Sequence, residues 1–185
     1  MKKIIGVFAG SLRKGAFSKS IADYVTSISP EGYEFKEIEF DDLPMYNPDL
    51  DDAEEKPTQW VEFREKVKGL DGFLFITPEY NRSVPGVLKN ALDVGSRPYG
   101  ESVWDGKPAG VISVSPGAYG GFGANHHLRQ VMVFLNVLML QQPEAYLGDI
   151  MSVLNEDGVV TDEKTKKFLN DYVDALVKWV DLIVK

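Results

Sequence analysis

The chain has 185 residues, 44% apolar and 26% charged, which suits one soluble globular domain over residues 1–185 with a full core. Its net charge of −8 argues against nucleic acid and anionic membrane as partners. It has no cysteine, which removes disulfides, thiolate nucleophiles and metal–thiolate clusters together; redox chemistry would need a bound cofactor, and the cytoplasm is the default compartment.

The stretch from Lys3 to Ser20 opens with the apolar run Ile4-Ile5-Gly6-Val7-Phe8-Ala9, expected to form a strand buried on both faces. The run is too short, and lacks a cleavage site, for a signal peptide. A glycine turn at Gly10 follows, then Ser11, Arg13, Lys14, Gly15, Ser18, Lys19 and Ser20. Strand, turn, hydroxyls and cations ahead of a helix make a phosphate-binding order, because the helix start offers unpaired N–H groups and a positive dipole end. Gly10 and Gly15 match half of a Walker A motif, but Ala16-Phe17 stand where Lys-Ser/Thr is required, which excludes a nucleoside-triphosphate hydrolase. Ser11-Leu12 likewise break a dinucleotide fingerprint. What remains is a loop for one terminal phosphate, or an ordinary charged turn.

Ser18 or Ser20 is expected to cap a helix running to about Ser29. Tyr33 to Phe40 alternates as an edge strand. Asp41 to Pro57, with three prolines, reads as a long loop in which Tyr46 and Asn47 could face a ligand, an acidic surface loop being the plainer reading. Between Glu31 and Glu62 stand twelve acids against Lys36 and Lys56, whereas Gly10 to Ser20 holds three cations and no acid. A basic island in an acidic chain strengthens the phosphate reading.

A second helix is expected from Thr58 to Lys68, then a buried strand at Phe73–Ile76, then Thr77-Pro78-Glu79-Tyr80-Asn81-Arg82-Ser83-Val84-Pro85-Gly86. Ser83 would cap the next helix, to about Val94. A third buried strand spans 109–114, followed by four glycines between Gly117 and Gly123. The next helix, 124–138, is apolar on more than one face, as in a core or a subunit interface. A short last strand is expected at 145–147, and Thr161 would cap a closing amphipathic helix to Val184.

Strands and helices alternate five times, which implies α/β architecture with a parallel sheet and right-handed crossovers. The common order for five strands is 2-1-3-4-5, whose switch point lies between strands 1 and 3. The three unusual loops, after strands 1, 3 and 4, should meet there. Together they offer a phosphate seat, an aromatic ring, an amide side chain and glycine backbone N–H groups that no Cβ shields. FMN has one phosphate and one flat heteroaromatic ring that such a mixture could hold.

GSLRKGAFS, TPEYNRSVPGVLKNALD and SPGAYGG resemble the NADPH-dependent FMN reductase family, over roughly 3–160. The family includes bacterial quinone and chromate reductases and some azoreductases. The resemblance implies a flavodoxin-like three-layer sandwich that binds FMN and oxidises NADPH or NADH. Its acceptors would be quinones, flavins, chromate or azo compounds, reduced in a two-step hydride exchange that needs no catalytic side chain. It implies that Ser11, Arg13, Phe17 and Ser18 hold the FMN phosphate. Pro78, Glu79, Tyr80 and Asn81 would run along the ring system, with Ser115 and Gly117 near its other edge. It further implies a homodimer or homotetramer with FMN near a subunit interface. Ala16 stands where the family often has a hydroxyl and Ser18 where it often has Asn, so one phosphate contact is expected to be lost or moved.

Tyr80, Arg82 and Tyr119 could shape the donor or acceptor pocket, or be surface and packing residues. Glu79, Tyr80 and Arg82 could instead form an intersubunit ion-pair set. A flavodoxin-type carrier is the non-enzyme alternative, but its usual [ST]-x-T-G-x-T phosphate loop is absent. Hydrolysis by Ser11 or Ser115 with His126 or His127 is disfavoured: GxSxG is missing, and adjacent helical residues point about 100° apart.

Overall fold

The computed structural model describes residues 2–184. Strands β1 (Lys3–Ala9), β2 (Tyr33–Glu37), β3 (Gly72–Pro78) and β4 (Pro108–Val114) are flanked by α1 (Phe17–Ser27), α2 (Pro48–Asp51), α3 (Thr58–Lys68) and α4 (Gly86–Gly95). The chain continues through α5 (Phe122–Phe134), β5 (Leu138–Met139), β6 (Ala145–Leu147) and α6 (Glu163–Ile183). The sheet is parallel, in the order β2-β1-β3-β4-β5, with β6 also paired to β4.

The apolar runs are continuous because both faces of the sheet are covered. Successive strand side chains alternate between faces, so Phe73 and Phe75 enter one core while Leu74 and Ile76 enter the other. Helices α3, α4 and α5 cover the first face, around Phe8, Trp60 and Trp104; α1 and α6 cover the second. Three layers result, as the sequence implied. Strand β2 lies at the edge, as expected.

The fifth sheet position departs from expectation. It is split between β5, which pairs with Pro108 and Ala109, and β6, which pairs with Ile112 to Val114. The predicted helix to Leu138 stops at Phe134 because Asn136 turns left-handed (φ 53°). Val137 N–H donates to Met132 O and Asn136 N–H to Val133 O, the Schellman closure of a helix end. Leu138 is thereby freed to pair as strand.

Local expectations are corrected elsewhere too. Ser18 and Ser20 lie inside α1, and Ala16 takes the cap position without a side-chain bond. Ser83 precedes the cap position of α4, which Pro85 occupies. The cap of α6 is Asp162, not Thr161: its carboxylate accepts from Thr165 N–H at 2.7 Å, and that bond holds its pKa below the ordinary value. The long loop after β2 contains α2, whose Asp51 is buried against Arg64 at 2.8 Å; Asn47 caps that turn.

Candidate active site at the carboxyl rim of the sheet

The carboxyl ends of β1, β3 and β4 are level, with Ala9 beside Ile76 and Pro78 beside Val114. Their loops therefore leave at one rim, at the switch point between β1 and β3. Gly10 makes the first departure possible. Its N–H donates to Ile76 O at 2.8 Å, and a Cβ there would lie 3.3–3.4 Å from Leu88, Ile76 O and Pro78.

The three loops enclose a cleft of about 500 Å³. Ser11, Arg13, Phe17, Ser18, Pro78, Glu79, Tyr80 and Ser115 line it, together with Ala16, Val114, Pro116 and Met151. Asn81 and Gly117 do not line it. Asn81 sits at the tip of a hairpin turn, and Gly117 N–H is turned onto Ser115 Oγ at 3.1 Å. Met151, after β6, was missed. The signal for it was topological, since a loop following the fifth strand position leaves at this same rim.

At one end of the cleft, α1 begins with no side-chain cap, leaving first-turn N–H groups available. Ser18 Oγ is buried there with no hydrogen-bond partner. A buried hydroxyl without a partner is costly unless a ligand completes it. Arg13 folds over its own loop, donating to Gly15 O at 2.7 Å and lying 5.1 Å from the Phe17 ring centre. Lys19 is not free for an anion, because it pairs with Asp23 and with Glu37 at 2.9 Å. Partial burial alone would lower its pKa, but these two carboxylates raise it. The arrangement can receive one phosphate through helix N–H groups, Ser18 and Arg13.

The other two loops are tied to the first and to each other. Ser11 Oγ and Tyr80 OH are 2.9 Å apart, joining the first loop to the second. Glu79 Oε2 accepts from Ala124 N–H at 3.0 Å, so the second loop caps the helix that the glycine loop feeds. A Cβ on Gly123 would lie 2.9 Å from that carboxylate, and glycine keeps the approach open.

A larger cavity, about 660 Å³, runs along α1 toward residues 154–160. It shares Ala16, Phe17 and Met151 with the cleft but touches neither the β3 nor the β4 loop. The cleft where three loops meet is the better candidate for the active site. The histidines serve neither Ser11 nor Ser115: His126 meets Tyr146 OH at 2.9 Å and His127 meets Ser83 Oγ at 2.7 Å. Among the described residues, no group of three or more His, Cys, Asp or Glu could hold a metal, and no helix is long and apolar enough to cross a membrane.

Residues 3–151 match the model of the NADPH-dependent FMN reductase family. The chain belongs to that family. A quinone reductase of Pseudomonas putida is 51% identical to this FMN reductase family member over 178 residues, covering 96% of this chain and 95% of the relative. A 2-hydroxy-1,4-benzoquinone reductase of Burkholderia sp. is 41% identical, covering 95% of each chain. Among solved structures, the flavoenzyme NAD(P)H:(acceptor) oxidoreductase FerB of Paracoccus denitrificans is similar with a TM-score of 0.89 and 40% identity, each chain 98% covered. A flavodoxin from Pseudomonas aeruginosa shares the fold at a TM-score of 0.56 and 18% identity.

Proposed function

We propose that this chain is an FMN-dependent NAD(P)H oxidoreductase that reduces quinones. The carrying observation is the meeting of three loops on one cleft, with the partnerless Ser18 hydroxyl at its phosphate end. The names borne by relatives half identical over nearly the whole chain support the same reading. FMN bound there would supply the hydride chemistry that links oxidation of a reduced nicotinamide to reduction of an acceptor.

The chain's own part is binding and exclusion of water. Ser11, Arg13, Phe17 and Ser18, with the open N–H groups of α1, would hold the phosphate. Pro78, Glu79 and Tyr80 on one side and Ser115 on the other would flank the ring system. Asn81 and Gly117 would act from the loops behind these walls. The flavodoxin-carrier alternative is not favoured, since the high-identity relatives are named as reductases.

The test is anaerobic mixing of the FMN-loaded protein with NADPH, then with a benzoquinone. Bleaching of the flavin within seconds and its return on adding quinone are expected. A flavin that stays oxidised would leave a carrier. Free flavin, chromate and azo acceptors are compared in the same assay, and NADH against NADPH.

The homodimer or homotetramer is part of this proposal. Phe134 and Val133 are 85% and 79% exposed, and Phe134 borders a cavity with Tyr99 and Leu135. Such clustered exposed apolar groups favour an interface. Sedimentation of Phe134→Lys should show dissociation, and an unchanged oligomer would place the contact elsewhere.

A further inference from the structure

Tyr80 and Ser83 exchange both main-chain hydrogen bonds, at 2.9 and 3.0 Å, around the two residues Asn81 and Arg82. Both of these are left-handed, with φ of 52° and 65°. This is the mirror-image hairpin turn, in which the second place normally goes to glycine because a Cβ there is strained. Asparagine tolerates the conformation; arginine gains nothing from it locally. A residue held in a strained backbone conformation two places after the cleft-lining Tyr80 points to a task for its side chain.

The Arg82 side chain is 78% exposed. It meets Glu79 Oε1 at 3.3 Å, a long contact. The other oxygen of Glu79 is already committed to Ala124 N–H, so that carboxylate divides its charge between a helix start and the guanidinium. Arg82 therefore keeps much of its field. It lies two residues after Tyr80, the last residue of its loop that lines the cleft. The arginine that lines the cleft, Arg13, is turned back on its own loop at the phosphate end. Since the whole chain carries a net charge of −8, an approaching anion needs a local cation to offset general repulsion.

We propose that Arg82 is a specificity-determining residue that receives an oxyanion of the incoming substrate at the open lip of the cleft. The oxyanion is a phosphate of the nicotinamide dinucleotide or a small oxyanion acceptor such as chromate. The assignment rests on the reductase reading above. Guanidinium suits either group because its planar donors pair with two oxygens at once.

The test compares the FMN-loaded protein with Arg82→Gly, which relieves the turn, and with Arg82→Lys, which retains the charge. Equilibrium titration with NADP+, NAD+ and chromate reads binding independently of turnover. Steady-state kinetics then compare NADPH, NADH and chromate with an uncharged benzoquinone, each acceptor assayed at saturating NADPH. In Arg82→Gly, about tenfold weaker binding of at least one oxyanion ligand is expected, with KM raised and kcat held. The loss should shrink at high salt, and KM for the uncharged quinone should stay put. Arg82→Lys should recover part of the affinity. Loss for NADP+ alone assigns the 2′-phosphate, loss for both dinucleotides the pyrophosphate, and loss for chromate alone the acceptor.

Oxyanion affinities within twofold of the parent protein would overturn the proposal. So would equal losses for the uncharged quinone, or dissociation of the oligomer in sedimentation, which would make Arg82 an interface residue. A parent protein that binds these anions through Arg82 yet never oxidises NADPH would sink the reductase reading instead.

Discussion

The hydroxyl of Tyr172 sits across the main chain of Val111, accepting its N–H at 2.8 Å and donating to its C=O at 3.0 Å. Val111 lies opposite the gap between β5 and β6, where no strand is available to pair with it. One side chain from α6 thus completes the ladder of the central strand β4. Gly110 makes room, since a Cβ there would be 2.7 Å from the Tyr172 oxygen. Burial pushes the phenol pKa up, so the group remains a neutral donor.

Tyr172→Phe should therefore lower unfolding free energy by about 1–3 kcal/mol, the cost of leaving buried main-chain groups unpaired. Urea unfolding measures it. FMN affinity should hold, because α6 lines no part of the cleft. A change within the error of the parent value would mean that water takes over the bond.

Ser18→Ala separates stability from binding. Without ligand, loss of a buried, partnerless hydroxyl should leave stability unchanged or slightly improved. FMN should then bind roughly 10- to 100-fold more weakly, as expected for a lost hydrogen bond to a charged group worth about 1.5–3 kcal/mol. Paired calorimetry and fluorescence titration would show opposite or unequal effects. Equal losses in both would place Ser18 in the core instead.

Glu79→Ala should cost the cap of α5, on the order of 0.5–2 kcal/mol. It should also weaken FMN binding by loosening the tie between the second and third loops. Glu79→Gln keeps an acceptor for Ala124 N–H and should recover most of the stability. If both variants bind FMN like the parent protein, the tie does not shape the cleft.

Lys107 supplies a pH signature. Its ammonium donates to Val67, Lys68 and Leu70 carbonyls at 3.1, 2.7 and 2.8 Å, closing the end of α3. Burial drives its pKa down from 10.5 to about 8, against the pull of Asp71. Between these values the unfolded chain holds more protons than the folded one, so this lysine's contribution to stability rises with pH across that window. The difference in stability between the parent protein and Lys107→Met should shift in the parent's favour from pH 8 to pH 10. A flat difference would place the folded-state pKa at its ordinary value.

Long buried strands were legible because a run such as Phe73–Ile76 has few other uses, and the ends of α3 matched the Thr58–Lys68 pattern. Short elements were not. Two residues of β5 carry no period, and Asn136, which frees them by ending α5, looks like any polar residue in a helical pattern. Caps were misplaced by one or two positions because Ser18, Ser83 and Thr161 are all acceptable caps locally, and only packing selects among neighbours.

The sequence by itself determined the three-layer parallel sheet, its strand order and the three loops at the switch point. Apolar periodicity and the handedness of crossovers leave few alternatives. Tertiary structure alone decided which hydroxyl lies buried without a partner, that Glu79 turns to the start of α5, that Tyr172 fills the gap beside Val111, and that Arg82 stands in a left-handed turn. The first three depend on distances between groups far apart in the chain, fixed only when the layers pack; the turn at Arg82 is local, closed between Tyr80 and Ser83, and carries no glycine to announce it.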